Sequence, residues 1–433
     1  YEVYEKVRTA GISLIASAAN SYNATMGSKK NGNNGLTANP DSGTVGSPST
    51  YPAALSIASV DGVLTPYFLH EGNIMYFKEA STSDNAEKDF VSEILEKRAE
   101  LDGAEEAYDE YEFEYDVIPG IGASSDYSDG NHRGKIALVK RGTNTFEDKV
   151  KIAIREGYLG VIIYNNVSGM ISMSVGDNIG AVCSLTQDDG EELANSDTKR
   201  IKISKSQVAG PFMSDFSSWG PTSDLKIKPE LTGHGGEILS SVPGQGYEKL
   251  SGTSMAAPNV AGATALVRQY VKNNEKLGKG KTNLEVTAIV NQLMMSTADI
   301  ILNKNGLPYA VRKQGAGLIS LTKATNAESY LLTKDEDGEF MDKTKLELGD
   351  DPQKTGVYDM TFYVRNISDG TATYRVSTIV QTEGVDKTFT GHGGTTVSQE
   401  GYKLDGKTEI VSVKDGTLEG DRVKVQKGDT AEV

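Results

Sequence analysis

The sequence predicts a multidomain protein of the α/β class that ends in a β-sandwich. Short apolar runs typical of buried strands alternate with segments of helical periodicity through most of the chain. From about Leu346 onward, apolar and polar residues alternate instead, with Gly and Asp at the turns. The 433 residues are enough for two or three domains, each with a core of its own.

The N-terminal part predicts a helix followed by two buried strands. A helix over Tyr4–Ala10 stops at Gly11, and Ile12–Ala18 forms a short apolar strand. The stretch Gly27–Ser49 is rich in Gly, Asn, Ser and Pro, which indicates a loop, and a second apolar strand follows at Ala54–Val60. This order is typical of an α/β sheet.

The middle of the chain begins with an acidic stretch. Residues 79–116 contain fifteen acidic and three basic residues, which favours a solvated helical face plus a loop over an acidic binding patch. A strand–helix–strand unit follows: strand Lys135–Val139, a helix beginning at Phe146 behind the cap Thr145 and ending at Gly157, and strand Val161–Tyr164.

The C-terminal half returns to helices and then changes to strands. Buried helices are predicted at Ser254–Lys272, Val286–Ala298 and Leu318–Asn326. The alternating segments Tyr358–Val364 and Thr373–Val380 predict strands of the sandwich.

The overall composition disfavours several classes of function. The formal charge of −16 disfavours nucleic acid as a partner, because an acidic surface repels phosphate. The single cysteine, Cys183, excludes an intramolecular disulfide and is predicted to be a buried thiol. No run approaches the length of a membrane span, and residues 1–5 do not resemble the start of a signal peptide.

The sharpest chemical signal is the string Gly-Thr-Ser-Met-Ala-Ala-Pro-Asn-Val-Ala-Gly at residues 252–262. Ser254 opens a helix, so its hydroxyl lies near the positive end of the helix, where a neighbouring oxyanion is stabilised. A serine at a helix start is more often a simple N-cap, and Thr253-Ser254 alone would favour that interpretation. The complete string closely resembles the nucleophile motif of the subtilases, a family of serine proteases, with Asn259 where many members have His.

Two further stretches carry this resemblance. Ala18-Ala19-Asn20 resembles the oxyanion-hole segment of the subtilases, which implies that the Asn20 amide donates to the developing charge beside the Ser254 backbone amide. Residues 43–53 resemble the loop and strand that line the primary specificity pocket. The resemblance therefore implies that Ala18, Ala19 and Gly46 belong to the substrate pocket.

The resemblance also implies a domain organisation, that of the larger cell-envelope subtilases of the lactocepin type. Residues 134–166 resemble a protease-associated domain, residues 216–221, 228–231 and 235–236 resemble the return to the catalytic core, and the β-rich tail resembles a fibronectin-like domain. The expected domains are a subtilisin-like parallel-sheet core at 1–64 and 208–345, an inserted protease-associated α/β domain at 65–207, and a fibronectin type III-like β-sandwich at 346–433.

A serine hydroxyl needs a base that is held by a third group. Subtilases supply these groups from Asp-Ser/Thr-Gly and His-Gly-Thr-His motifs upstream of the oxyanion Asn, and neither motif precedes Asn20 here. Asp41-Ser42-Gly43 lies in the Gly-rich loop and is interpreted as a coincidence, and His234 as a structural turn residue. The remaining histidines, His70, His132 and His392, are not followed by Gly-Thr-His.

Two hypotheses follow. In the first, the chain is the nucleophile-bearing part of a serine endopeptidase that acts on proteins or peptides, with Asp and His on an upstream segment, and the chain alone is inactive. In the second, it is a non-catalytic binding or adhesion protein.

The resemblance implies an extracellular or cell-wall-attached location. No cofactor is required; calcium is common in subtilases, but no loop here has a spacing that names its ligands.

Overall fold

The structure, a computed structural model, describes residues 2–21, 43–62, 64–82, 88–167, 170–177, 179–244, 246–386 and 396–433. Asp41, Ser42, His392 and much of the predicted Gly27–Ser49 loop lie outside these residues. The α-helices are α1 Glu2–Thr9, α2 Phe90–Asp102, α3 Phe146–Arg155, α4 Gln187–Asn195, α5 Thr253–Asn273, α6 Asn283–Ser296, α7 Val311–Gln314 and α8 Leu321–Thr325.

The strands follow the chain in this order: β1 Leu14–Ser17, β2 Ala54–Asp61, β3 Thr65–His70, β4 Asn73–Tyr76, β5 Lys78–Glu79, β6 Glu110–Val117, β7 Ile136–Lys140, β8 Gly160–Tyr164, β9 Ala181–Leu185, β10 Arg200–Ser204, β11 Val208–Ala209, β12 Leu231–Gly236, β13 Ile238–Val242, β14 Gly246–Leu250, β15 Ser329–Leu332, β16 Tyr363–Asn366, β17 Ala372–Arg375, β18 Val380–Asp386, β19 Thr396–Leu404, β20 Thr417–Glu419, β21 Arg422–Val425 and β22 Thr430–Glu432. The chain divides into two compact units, residues 1–63 with 211–433, and residues 64–210.

The first unit is built on a parallel sheet of order β1–β2–β12. In this sheet Leu14 is opposite Ala54, and Leu231 is opposite Ile57. Residues of β2 are almost fully buried, as the continuous apolar run of a parallel strand predicts. The expected α/β parallel-sheet core is confirmed.

Helix α5 packs on this sheet and α6 packs on α5, and together they surround one hydrophobic core. The core includes Ile57 of β2, Leu231 of β12, Val260 and Val267 of α5, and Val290 of α6. A smaller apolar cluster that includes Val60, Met213 and Ile301 forms a second core in this unit.

The prediction that α5 is a buried helix is wrong for one of its faces. Ala256, Val260, Thr264 and Val267 are buried at helical spacing, whereas Leu266 is 51% exposed. The small residues of the helix permit close packing on both sides. In the described residues β1, β2 and β12 cover one side of α5, α6 and α8 pack against it as well, and the remaining side is exposed.

The second unit has a sheet of order β11–β3–β10–β6–β7–β8–β9–β5, with β4 paired to β3. Strands β6 to β9 are parallel, and α3 connects β7 to β8. The predicted strand–helix–strand unit is therefore confirmed, and so is its cap, because the Thr145 hydroxyl accepts from Asp148 N at 3.1 Å. Cys183 is fully buried in β9, as predicted, and burial raises the pKa of its thiol.

The acidic stretch contains the predicted helix and loop, α2 and residues 103–109, and also a strand, β6, that was not predicted. Strand β6 carries Glu110, Glu112 and Glu114 on one face, and Arg200 and Lys202 of β10 pair with them across the ladder. Cross-strand ion pairs offset the like charges that obscured the strand in the sequence. The solvated-face interpretation agrees with these exposed ion pairs.

The C-terminal strands form two small antiparallel sheets, β15–β16–β22 and β17–β21–β20, and a separate pair, β18–β19. Val364, Val423, Val425 and Ala431 from the two small sheets share one apolar core. The strand predicted at Tyr358–Val364 begins only at Tyr363, where β15 and β22 provide partners. The strand predicted at Thr373–Val380 ends at Arg375, and β18 begins at Val380.

The helix predicted at Leu318–Asn326 begins only at Leu321. Leu318 forms bridges to Thr232 and Asp299 instead, and Ser320 caps the helix by accepting from Lys323 N at 3.3 Å. In the described part of the chain, no helix has the length and apolar content needed to cross a membrane.

Candidate active site

The N-terminus of α5 presents Ser254 to solvent. Gly252 is the N-cap and is buried, Thr253 is the first helical residue, and Ser254 is exposed. Because Ser254 is the second helical residue, its backbone N–H is one of the first-turn donors without an acceptor inside the helix. Its hydroxyl has no hydrogen-bond partner in the described residues.

Thr253 fixes the orientation of the Asn20 side chain. The backbone N–H and the hydroxyl of Thr253 both donate to Asn20 Oδ1, each at 2.9 Å. A backbone N–H can only donate, so the oxygen of the Asn20 amide must face Thr253. The other end of the amide, Nδ2, is therefore directed away from Thr253 with its two donors.

Gly252 shows where these donors converge. A Cβ atom at Gly252 would lie 3.0 Å from Asn20 Nδ2 and 3.6 Å from the backbone N of Ser254. The two nitrogen atoms therefore border one space, which the absence of a side chain at Gly252 keeps open. Two donors that face one point beside a serine can stabilise an oxyanion.

The three residues predicted to belong to the substrate pocket are brought together. Gly46 N donates to Ala18 O at 3.0 Å, and a Cβ at Gly46 would lie 3.0 Å from the Cβ of Ala19. Ala19 has φ +86°, a left-handed conformation that costs a non-glycine residue of order 1–3 kcal/mol. The Ala19 N–H donates to the Thr253 hydroxyl at 3.2 Å and Ala19 O accepts from Ser218 N at 3.0 Å, and these contacts hold the strained residue in place.

Sequence reasoning missed the residues that join these segments. Ser218 Oγ accepts from Ser21 N at 2.9 Å, next to Asn20 in the chain. The carbonyl of Trp219 accepts from Thr44 N at 2.7 Å and from Val45 N at 3.1 Å. The segment 218–219 therefore connects the oxyanion segment to residues 44–45, which directly precede Gly46. The motif at 216–221 could have indicated this position, but its contacts depend on the tertiary fold.

The Trp219 ring is buried, with cations placed over it. Arg312 and Lys313 lie 5.2 and 5.0 Å from the ring centroid. Burial lowers the pKa of Lys313 to about 8, although Asp215 and Asp61 favour its charged form. These contacts hold the indole in place in the first unit.

In the described residues no hydrogen bond joins a histidine to Ser254. Gly233 of β12 faces α5, since a Cβ there would meet Val260 at 2.7 Å, and the next residue of the strand, His234, consequently faces the other side of the sheet. His70 and His132 have partners within the second unit: His70 Nδ1 contacts Arg200 O, and His132 pairs with Asp116. His392 lies outside the described residues. Within those residues, no cluster of three or more His, Cys, Asp or Glu side chains could hold a metal ion.

Comparison with known proteins gives a family match over most of the chain. A family model described as Subtilase family matches residues 3–317. The chain is 29% identical over 414 residues to the minor extracellular protease Vpr of Bacillus subtilis, covering 92% of this chain and 46% of that protein. It is 30% identical over 393 residues to a C5a peptidase of Streptococcus pyogenes, covering 89% of this chain and 31% of the peptidase.

A third relative is a PI-type proteinase of Lactococcus lactis subsp. cremoris, 31% identical over 336 residues, covering 72% of this chain and 17% of that protein. The chain thus spans less than half the length of each of these relatives. Among solved structures, the psychrophilic subtilisin-like protease Apa1 from Pseudoalteromonas sp. AS-11 is 16% identical with a TM-score of 0.29, covering 75% of this chain and 65% of Apa1.

Proposed function

The chain belongs to the subtilase family, and on that premise we propose that it is the nucleophile-bearing part of a serine endopeptidase. Its named relatives are proteases and peptidases. The observation that carries the proposal is the convergence of Asn20 Nδ2 and the Ser254 N–H on the space beside Gly252. A serine that only caps a helix does not require a side-chain amide donor, such as Asn20 Nδ2, next to its own backbone N–H.

In the proposed reaction, Ser254 Oγ attacks the carbonyl carbon of a peptide bond and its proton passes to a general base. The carbonyl oxygen becomes an oxyanion, which accepts from Asn20 Nδ2 and from the Ser254 N–H. The tetrahedral intermediate then expels the amine, which takes the proton, and water hydrolyses the resulting ester by the same steps.

We place the base and its orienting carboxylate on a segment upstream of residue 1. His234 faces away from α5, and the described residues leave the Ser254 hydroxyl without an acceptor. The uncovered side of α5 offers such a segment a surface against which to pack. The chain on its own is therefore expected to bind active-site ligands weakly and to hydrolyse nothing.

The substrate is proposed to be a protein or peptide. Ala18, Ala19 and Gly46 would border the side chain that precedes the scissile bond, and the absence of a side chain at Gly46 would leave room for it. We further propose that residues 65–207 are a protease-associated domain, that 346–433 are fibronectin-like, and that the protein acts outside the cell, as the name of the Bacillus subtilis relative states for that protein.

Labelling with a fluorophosphonate probe tests the proposal. In the full-length protein the probe should label Ser254, and Ser254→Ala should abolish labelling. Asn20→Asp replaces Nδ2 by an acceptor while keeping both bonds from Thr253, and should slow labelling by about 10²–10³-fold.

The matched control is Ser251→Ala, an exposed serine three residues earlier whose hydroxyl accepts from Glu237 N. The probe should label Ser254 in this variant as fast as in the wild type. If wild-type protein with an upstream Asp and His is not labelled at Ser254, the endopeptidase proposal is wrong and the non-catalytic binding function takes its place.

A further inference from the structure

A fully buried carboxylate lies beneath the pocket loop and is surrounded by lysines. The Glu230 side chain is 0% exposed and pairs with Lys228 at 2.8 Å, Lys345 at 3.3 Å and Lys343 at 3.5 Å. Its other oxygen accepts from Ser56 N at 2.7 Å. Lys345 also pairs with a second carboxylate, Glu347, at 3.5 Å. Neutralising Glu230 therefore does not by itself explain why all three lysines are here.

Two of these lysines also hold the pocket loop, residues 46–54. Lys343 Nζ donates to Ala54 O at 2.8 Å and to Pro52 O. Lys228 Nζ donates to Ala54 O at 2.8 Å and to Tyr51 O at 3.1 Å. Carbonyl groups directed into a protein interior need donors, and here charged donors from outside the loop provide them.

A chain of hydrogen bonds leads from this cluster to the pocket wall. Ser56, whose N–H donates to Glu230, also donates through Oγ to Ser49 Oγ at 3.0 Å, and Ser49 Oγ donates to Gly46 O at 3.0 Å. Gly46 N in turn donates to Ala18 O at 3.0 Å. The loop is therefore fixed at both ends, at Ala54 by the lysines and at Gly46 by the serines.

Lys343 enters this cluster from a distant part of the chain. It follows β15, and its segment is held by Gln292 Nε2, which donates to Met341 O at 2.6 Å, and by Thr333 Oγ1, which donates to Lys343 O at 2.9 Å. The segment is thus attached to α6 and β15 independently of the pocket loop. Lys343 can act as a brace because it is fixed at its backbone.

We propose that Lys343 is a positioning residue for the substrate pocket, and that it sets the width of the pocket by holding the loop 46–54 against the core. The inference rests on the proposed function for the identity of the pocket, but the bracing of the loop can be measured without it. Lys343 touches no reacting atom and acts through Pro52 and Ala54.

Lys345 provides a matched control. It is on the same segment and pairs with the same carboxylate, but it donates to Ile227 O at 2.6 Å instead of to the pocket loop. Lys343→Met and Lys345→Met each remove one ammonium group from Glu230 and keep most of the aliphatic stem. Only the first removes donors from the loop.

Hydrogen–deuterium exchange of the full-length protein gives the first readout. The amides of Thr50, Tyr51 and Ala54 bond within the loop and report its opening. Loss of a charge-assisted bond should speed their exchange about tenfold or more in Lys343→Met, and not in Lys345→Met. Equal exchange in the two variants would overturn the inference. If Lys343→Met does not fold, Lys343→Gln, whose shorter, neutral side chain loses the charge-assisted bonds to Pro52 and Ala54 but stays polar, should speed exchange in the same way relative to Lys345→Gln.

Peptidase kinetics on the same proteins give the second readout. For a peptide with a bulky residue before the scissile bond, Lys343→Met should raise KM about tenfold with little change in kcat, while Lys345→Met leaves KM unchanged. A fall in kcat at constant KM would contradict a role in the pocket. If the wild type hydrolyses no peptide, the proposed function fails, and the exchange experiment still decides whether Lys343 braces the loop.

Discussion

Substituting Gly252 by alanine should abolish most of the catalysis while leaving the fold intact. The new methyl carbon would lie 3.0 Å from Asn20 Nδ2 and 3.6 Å from Ser254 N. An oxyanion needs both donors at about 2.7–3.1 Å. The methyl group would therefore occupy the space that the oxyanion enters.

The magnitude follows from the number of donors affected. Loss of one oxyanion donor costs about 10²–10³ in kcat, and the methyl group obstructs both, so a decrease of at least about 10²-fold is expected. The effect on folding is small, because the backbone at Gly252 is extended, with φ 163° and ψ 156°, and requires no left-handed conformation. Replacing glycine at such a site changes the free energy of unfolding by no more than about 1 kcal/mol.

The assay is hydrolysis of a chromogenic peptide by the full-length enzyme, with the active sites counted by a fluorophosphonate titrant and the folded fraction measured by thermal unfolding. The control is Ser251→Ala, at the residue before Gly252, which removes a hydroxyl that accepts from Glu237 N and adds no atom beside Asn20 or Ser254. This control should keep kcat. If Gly252→Ala retains kcat within about tenfold of the wild type, the geometric argument for the oxyanion site is refuted.

Three other perturbations have expected outcomes. Gly46→Ala would bring a methyl group within 3.0 Å of the Ala19 Cβ and should raise KM for bulky peptides more than for small ones, as measured across a peptide series. Burial raises the pKa of Glu230, but Lys343, Lys228 and Lys345 together outweigh it and lower the pKa below 4.5. The carboxylate therefore contributes stability above pH 4.5 that is lost as the pH falls through the lower, folded-state pKa. The slope of urea-unfolding free energy against pH in this acid range should be smaller in Glu230→Gln. The isolated 433 residues should show no peptidase activity and low stability; robust hydrolysis that Ser254→Ala abolishes would contradict the assignment of the base to an upstream segment.

Sequence patterns predicted the elements that carry the site more reliably than the contacts between them. The string at 252–262 indicated a helix with Ser254 near its start, and the apolar run before Asn20 indicated a strand. The bonds from Thr253 to Asn20 could not be predicted from spacing, because they depend on how α5 crosses the parallel sheet. The left-handed conformation of Ala19 had no signal either, since alanine has no preference for it.

The errors have related physical causes. Apolar alternation at Tyr358–Val364 predicted a long strand, but a strand exists only where partners pair with it, and β15 and β22 reach only as far as Tyr363. The small residues of α5 predicted burial on all sides, although composition cannot show whether a partner covers each side. Acidic residues in β6 obscured a strand whose charges are offset by β10, a long-range pairing.

The pairing of Val60 with Met213 also has a consequence for folding. Within the first unit these residues form a bridge, and Asp61 N donates to Phe212 O at 2.9 Å, so the chain leaves and re-enters the unit at adjacent points. Closing this loop through an unstructured chain would carry an entropic cost that grows with the logarithm of its length. If residues 64–210 fold first around their own core, the intervening chain is already compact. The chain segment that must close before Asn20 can contact Thr253 is then effectively much shorter. Replacing residues 64–210 by a tight turn should therefore leave the folding of the β1–β2–β12 sheet largely unchanged.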